Sequence, residues 1–181
     1  YFDNGAWSRP ESFFLNSDEY SVAHPCMSYN GKRLYFASDM PGGSGGMDIY
    51  VSHLQNGKWG EAKNLGSVVN TSGDEVFPFI RYDGTLIFSS NGHQGFGGLD
   101  LFSAKMSEKG KWTDVSNMGL PFNSPRDDFG IVFQKDLRKG YFSSDRKGGK
   151  GADDIYRFET TLDIDTFNIA GLLLIRDGLY K

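Results

Sequence analysis

An all-β fold of propeller blades is what the 181-residue sequence predicts, and three observations predict it. The first is a unit spelled three times. Leu34-Tyr35-Phe36-Ala37-Ser38-Asp39, a glycine-rich loop and Met47-Asp48-Ile49-Tyr50 form one copy. Leu86-Ile87-Phe88-Ser89-Ser90-Asn91 with Leu99-Asp100-Leu101-Phe102 is the second, and Gly140-Tyr141-Phe142-Ser143-Ser144-Asp145 with Asp153-Asp154-Ile155-Tyr156 the third. Phe36, Phe88 and Phe142 stand 52 and 54 residues apart, as do Asp48, Asp100 and Asp154. A period near 50 residues belongs to repeat architectures such as propellers. The second observation is a strand-turn-strand pattern within each unit. The third is composition: 15% aromatics suit half-buried pleated surfaces, and 24 glycines suit tight turns.

The second copy shows the elements in order. Glu75 to Arg81 is an apolar strand bounded by turn residues, Asp83-Gly84 offers a hairpin turn, and Leu86 to Ser90 returns. A long glycine loop leads to a third strand, Asp100 to Lys105, and a tight turn at Glu108 to Lys111 to a fourth from Trp112. Four antiparallel strands per unit is the content of one blade. Pro78, and Pro25 at the same place in the first copy, need an unpaired edge, which the innermost strand of a blade provides. Trp7, Trp59 and Trp112 are 52 and 53 apart, so Tyr1 to Trp7 reads as the end of a preceding unit, with further sequence expected upstream. Residues 1–160 are assigned to propeller repeats. Residues 161–181, where the repeat stops, are assigned to a linker and the first strand of a following module.

Composition excludes some functions. Net charge −4 and a pI near 5.3, with scattered Lys and Arg, carry no basic footprint for nucleic acid. Cys26 alone can form no intrachain disulfide and reads as a small buried hydrophobe. No apolar run approaches the ~18 residues of a membrane span.

Glycine loops Gly42 to Gly46, Gly92 to Gly98 and Lys147 to Gly151 join strands two and three. Repeated glycine there predicts left-handed residues and close backbone approach. The flanking Asp39, Asn91 and Asp145, and Asp48, Asp100 and Asp154, are read as turn staples that accept hydrogen bonds from loop N–H groups. Calcium is the competing reading, but the spacing matches no EF-hand loop. Neither a metal nor a cofactor is assigned. Gly42-Gly43-Ser44-Gly45-Gly46 has the letters of a nucleophile elbow, but a strand and not a helix follows it, the other two copies carry no Ser there, and the nearest later histidine, His53, lies in the same hairpin. His24, His53 and His93 occupy three different repeat positions, so no catalytic set emerges. Glu19, Glu75 and Asp128 precede strand one in each copy and are read as an acidic rim, a docking surface for a basic segment or else a solvated loop.

With these motifs in place, a resemblance is recognisable. Pro25 or Pro78, Tyr29-Asn30-Gly31 or Tyr82-Asp83-Gly84, Leu34 to Asp39 and Asp48-Ile49-Tyr50 resemble the PD40 repeat, the WD40-like repeat of TolB-type propellers. The glycine insertion, with Gly57-Lys58-Trp59 and Asn64-Leu65-Gly66, is similar to the propeller of Bacteroidetes OmpA-family envelope proteins, including the PorE-like components of type IX secretion. The tail from Phe167 resembles the opening of their carboxypeptidase-regulatory-like domain. The resemblance implies a non-enzymatic periplasmic scaffold, associated with the outer membrane and binding envelope proteins of a secretion or cell-wall-linked complex. It also implies a six-bladed ring, of which three blades are half. The missing half would come from further chain or from self-association with a second copy. The alternative is a glycan- or peptide-binding propeller that uses Trp or Tyr on its rim.

Overall fold

The computed structural model describes residues 2–3, 5–135, 137–160, 174–175 and 178–179. Among them every regular element is a strand. A short hairpin, β1 (Phe2–Asp3) with β2 (Ala6–Trp7), pairs Phe2 with Trp7 as β5 and β6 below pair Leu54 with Trp59. The first sheet contains β3 (Val22–Met27), β4 (Arg33–Ser38), β5 (Asp48–Gln55) and an interrupted outer strand, β6 (Lys58–Trp59) and β7 (Lys63–Asn64). The second contains β8 (Glu75–Ile80), β9 (Leu86–Ser90), β10 (Asp100–Met106) and β11 (Trp112–Asn117). The third contains β12 (Asp128–Phe133), β13 (Lys139–Ser144) and β14 (Asp154–Glu159). β15 (Leu174–Ile175) and β16 (Gly178–Leu179) form a separate hairpin. The linker and module assigned to residues 161–181 otherwise lie outside the described residues, as does any fourth strand of the third sheet.

Within each sheet the strands pair antiparallel in chain order, as the repeat predicts. The hairpin at Tyr82-Asp83-Gly84 closes because Gly84 takes φ +85 and the Thr85 N–H donates to the Asp83 carboxylate at 2.9 Å. Two sets of connections therefore separate to opposite rims. The β3–β4, β5–β6, β8–β9 and β10–β11 hairpins share one rim. The glycine loops and the links between sheets share the other.

Sheets stack face to face. Tyr35, Ile49 and Val51 of the first sheet meet Leu86, Phe88, Phe102, Ala104 and Trp112 of the second. The reverse face of the second sheet, Ile87 and Leu101, meets Ile131, Phe142 and Phe158 of the third. The middle sheet is thus buried on both faces, which is why β9 is buried along its whole length. Phe13, in the segment before β3, covers the other face of the first sheet by an edge contact with Phe36 at 6.3 Å.

The third sheet keeps one face open among the described residues. Ile49 and Leu101 are fully buried at 0% exposure, whereas Ile155, at the same repeat position, is 77% exposed. Burying such a side chain is worth about 1.5–3 kcal/mol, so its value depends on whether a sheet lies opposite. We therefore expect Leu101→Ala to cost about 2–4 kcal/mol, and Ile155→Ala to stay within about 0.5 kcal/mol of wild type, in urea unfolding of the 181-residue chain. Equal losses at the two positions would contradict the stacking order.

Candidate functional site

Each glycine loop is tied down by the aspartate that opens the following strand. Asp48 accepts from the Ser44 and Gly45 N–H groups at 2.5 and 3.2 Å, Asp100 from Phe96 and Gly97 at 2.5 and 3.1 Å, and Asp154 from Lys150 and Gly151 at 2.6 and 3.1 Å. Ser44 accordingly sits in a stapled loop followed by a strand, with none of the setting of a nucleophile. Burial pushes the Asp100 carboxyl pKa up, with Asp128 and Asp127 adding to it against the two N–H bonds, and Oδ1 of Asp100 is buried without a partner.

Asp39, Asn91 and Asp145 do a different job from the one expected. They accept from the N–H groups of Ser21, Asp74 and Asp127 at 2.6, 2.7 and 2.8 Å, and so fasten the end of strand two to the entry of strand one in the same sheet.

The glycines serve mainly to let one sheet touch the next. A Cβ on Gly45 would strike the carbonyl oxygens of Gly73 and Thr71, and one on Gly97 would strike the backbone of Arg126 and Ser124. Across this contact the Gly46 N–H donates to the Gly73 carbonyl at 2.9 Å. The Met47 and Leu99 N–H groups donate to the carboxylates of Asp74 and Asp127, both at 2.8 Å. Left-handed geometry is the smaller part of the explanation: of the loop glycines only Gly42 and Gly148 have positive φ.

The proposed acidic rim does not assemble. Glu75 and Asp128 are both at 0% exposure. Glu75 is used up by the Thr71 N–H and hydroxyl and the Ser90 hydroxyl. Asp128 accepts from the Ser124 N–H and pairs with Arg146, whose guanidinium also donates to the Pro121 and Phe122 carbonyls and lies over the Phe142 ring. A buried charge needs such partners, so neither carboxylate can meet a partner protein. Glu19 alone is exposed, and it is out of register: Val22 pairs with Ser38 as Glu75 pairs with Ser90. Also unforeseen were Asn70 and Asn123. Each accepts from and donates to the main chain of one residue, Ile49 or Leu101, while bonding Asn64 or Asn117. The signal was available, since both asparagine pairs recur 53 residues apart.

The first strands of the three sheets, β3, β8 and β12, carry the most unusual backbone. Each has a bulge, opposite His24-Pro25, Phe77-Pro78 and Gly130-Ile131. His24, Phe77 and Gly130 take φ +52, +51 and +64. The prolines thus occupy an edge strand, as expected, at bulges that remove the need for their missing N–H. Left-handed residues other than glycine cost on the order of 1–3 kcal/mol and persist where the surroundings enforce them, commonly at functional sites. Here the strain aligns rings: His24 stacks on Phe77 at 3.8 Å between centroids, and Phe77 lies 5.2 Å from Phe129. All three are half-buried. Burial lowers the His24 pKa, and its buried Nδ1 has no hydrogen-bond partner. Beside this arc half-buried Cys26 accepts the Ile80 N–H at 3.4 Å, and burial raises its thiol pKa.

Face-stacked antiparallel sheets, paired in chain order and with their first strands lining one side, define the class: these are blades of a β-propeller. No family model matches the sequence, and no curated protein matches it. Among solved structures, TolB from Acinetobacter baumannii superposes with a TM-score of 0.55 at 16% identity, covering 84% of this chain and 31% of that one. GH43B of the Bacteroides ovatus xyloglucan PUL covers 85% and 30%, at 21% identity and a TM-score of 0.45. The fold is therefore TolB-like, and the chain spans about a third of the length of either structure. Among the described residues no helix is long and apolar enough to cross a membrane.

Two outcomes test this geometry. Gly97→Ala drives a methyl into the backbone of the next sheet and should cost about 1–3 kcal/mol. Gly151→Ala, whose nearest contacts would be at 3.5 and 3.8 Å, should be close to neutral in the same unfolding assay. For His24 the lowered pKa means that the folded chain binds fewer protons than the unfolded chain just below pH 6.5. Stability present above that value is lost as pH falls through it. His24→Phe should flatten part of the loss measured by denaturation between about pH 7.5 and 5.5.

Proposed function

We propose that the chain is a non-catalytic protein-interaction module of a cell-envelope scaffold, with the stacked arc of His24, Phe77 and Phe129 on its first strands as the contact surface. The carrying observation is that positive φ is kept at two non-glycine positions, His24 and Phe77, whose half-buried rings stack on one another and on toward Phe129 at the edge of the sheets. The TolB-like fold supports an envelope role. The complete internal satisfaction of Glu75 and the pairing of Asp128 with Arg146 support a non-catalytic one, since glycoside hydrolysis needs two available carboxylates in one pocket. At the finer level the proposal is a periplasmic, outer-membrane-associated protein of the OmpA-family type serving type IX secretion, its ring closed by further blades.

The ends of the blade array support closure by a matching partner. Where Asp74 and Asp127 reach back to the preceding sheet the first sheet has Ser21, and where Gly46 and Gly98 admit those carboxylates the third loop has Ala152. The shorter serine suits the added methyl. Glycan binding is a second reading, favoured by Tyr29 and Tyr82, which are 79% and 64% exposed on neighbouring hairpins of one rim.

Phe77→Gly separates binding from folding, because glycine is what the third sheet already has at this position. Relief of strain offsets lost stacking, so unfolding should shift by no more than about 1 kcal/mol. An envelope protein retained by the immobilised wild type should no longer be retained. Undiminished retention would dismiss the arc as the contact surface, and loss of glycan-array signal with Tyr82→Ala would favour the second reading.

A further inference from the structure

The core between the first two sheets stops short of the hairpin rim. On the face of the first sheet that meets the second, Tyr35 pairs with Val51, Arg33 pairs with His53, and Lys63 pairs with Val51 from the other side. Cross-strand partners share a face, and residues two apart on a strand do so as well. Arg33 and His53 therefore make a cross-strand pair next to the apolar layer, and Lys63 stands on the same face one step back, beside Val51, so that the three form a diagonal across three strands. With strands about 4.8 Å apart and alternate residues about 7 Å apart along a strand, the diagonal from Arg33 to Lys63 spans about 12 Å. Opposite it the β10–β11 hairpin supplies Met106, Lys111 and Trp112. Between them lies a cleft of about 550 Å³ whose floor is Tyr35, Val51, Leu65 and Trp112, with the indole edge-on to Tyr35 at 6.3 Å.

This cleft is lined by Arg33, His53, Lys63 and Lys111 and by no carboxylate, in a chain of net charge −4. Among the described residues none of the three permanent cations has an ion-pair partner. Burial, then the proximity of Arg33 and Lys63, lowers the His53 pKa, so both cations lie within electrostatic reach of His53. The repeat provides an internal control. At the positions of Arg33 and His53 the second sheet has Thr85 and Lys105. The third has Lys139 and Glu159, which neutralise each other at 3.2 Å. Blade geometry is therefore met in the other two sheets without this set of cations, although Arg33 also interacts with the Tyr35 hydroxyl.

We propose that this cleft binds an acidic segment of a partner protein, an extended peptide whose carboxylates meet Arg33, Lys63 and Lys111 while an apolar side chain enters over Trp112. A single small anion would call for converging cations. Here Arg33 and Lys63 lie on a diagonal across three strands and Lys111 on the opposite sheet, so that the cations border an open groove of a kind that an extended chain can follow. A desolvated tryptophan flanked by arginine is the composition of an interface anchor. The inference rests on the interaction-module reading and gives that partner a chemistry, opposite in sign to the basic segment expected for Glu19, Glu75 and Asp128.

The test is fluorescence anisotropy with a labelled heptapeptide of alternating aspartate and leucine, titrated with the full chain at about 50 mM salt, where screening is weak. Saturable binding is expected. It should weaken about tenfold or more with Arg33→Glu plus Lys63→Glu, and again with Lys111→Glu from the opposite sheet, in line with the loss of complementary charge. Lys147→Glu, on the distant loop of the third sheet, should leave it unchanged. Thermal melts of the exposed-site variants confirm that each is folded. No binding by wild type, equal binding of the asparagine-leucine peptide, an equal loss with Lys147→Glu, or displacement by citrate or phosphate at peptide-like concentrations would each overturn the proposal. If the peptide fails while the Phe77→Gly variant still loses the envelope partner, only this inference falls.

Discussion

A four-stranded sheet with aromatic side chains on both faces has no interior of its own, and the structure follows from that constraint. Leu86 and Phe88 point one way and Ile87 the other, so β9 is dry only because a sheet lies on each side. Stacking of twisted sheets about 10 Å apart leaves their loops close enough to collide. The glycine loops resolve that collision by meeting backbone to backbone, with Gly45 over Gly73 and Gly97 over Arg126. The Asp74 and Asp127 carboxylates then supply acceptors for N–H groups that the contact would otherwise bury unpaired. Packing and hydrogen bonding specify the same neighbour.

The first strands face a different demand. They are edges, and a regular edge would present a row of free N–H and C=O groups. Bulges at His24, Phe77 and Gly130 break that row, and proline at two of the three sites removes a donor. A bulge re-aims side chains as well as ending pairing. Here it turns His24 and Phe77 onto one another, so the device that protects an edge also aligns the rings proposed as the contact surface. Burial there lowers the His24 pKa.

Much of the fold could be read from the sequence because period, strand chemistry and turn chemistry agree. Leu86 to Ser90 was placed to the residue, and the pairing order followed from hairpin-length connections. The staples Asp48, Asp100 and Asp154 were also readable, since each stands just past its loop, within reach of N–H groups three and four positions back. Asp39, Asn91 and Asp145 lie just as near the loop in sequence, yet they bond residues 17 or 18 positions away. Local spacing carries no information about such contacts. The acidic pairs failed for a related reason: Asp74 and Glu75 are adjacent, but strand alternation sends one toward the neighbouring sheet and buries the other beside Thr71 and Ser90. Clustered carboxylates in a sequence are not clustered carboxylates on a surface.

Three copies of one unit in one chain also separate what the blade needs from what it does not. Aspartate at the strand-three entry, serine at the end of strand two and glycine at the sheet-to-sheet contact recur because geometry leaves no choice. Departures carry a different meaning. Arg146 has no counterpart in the other sheets, and its role is visible: Asp128 is one methylene shorter than Glu75, and the guanidinium fills the space and neutralises the charge. That departure is compensated inside the blade, and so is the Lys139 to Glu159 pair. Among the described residues the cations around Trp112 have no carboxylate partner. An uncompensated departure from an otherwise strict repeat is where selection by an outside partner has to be sought.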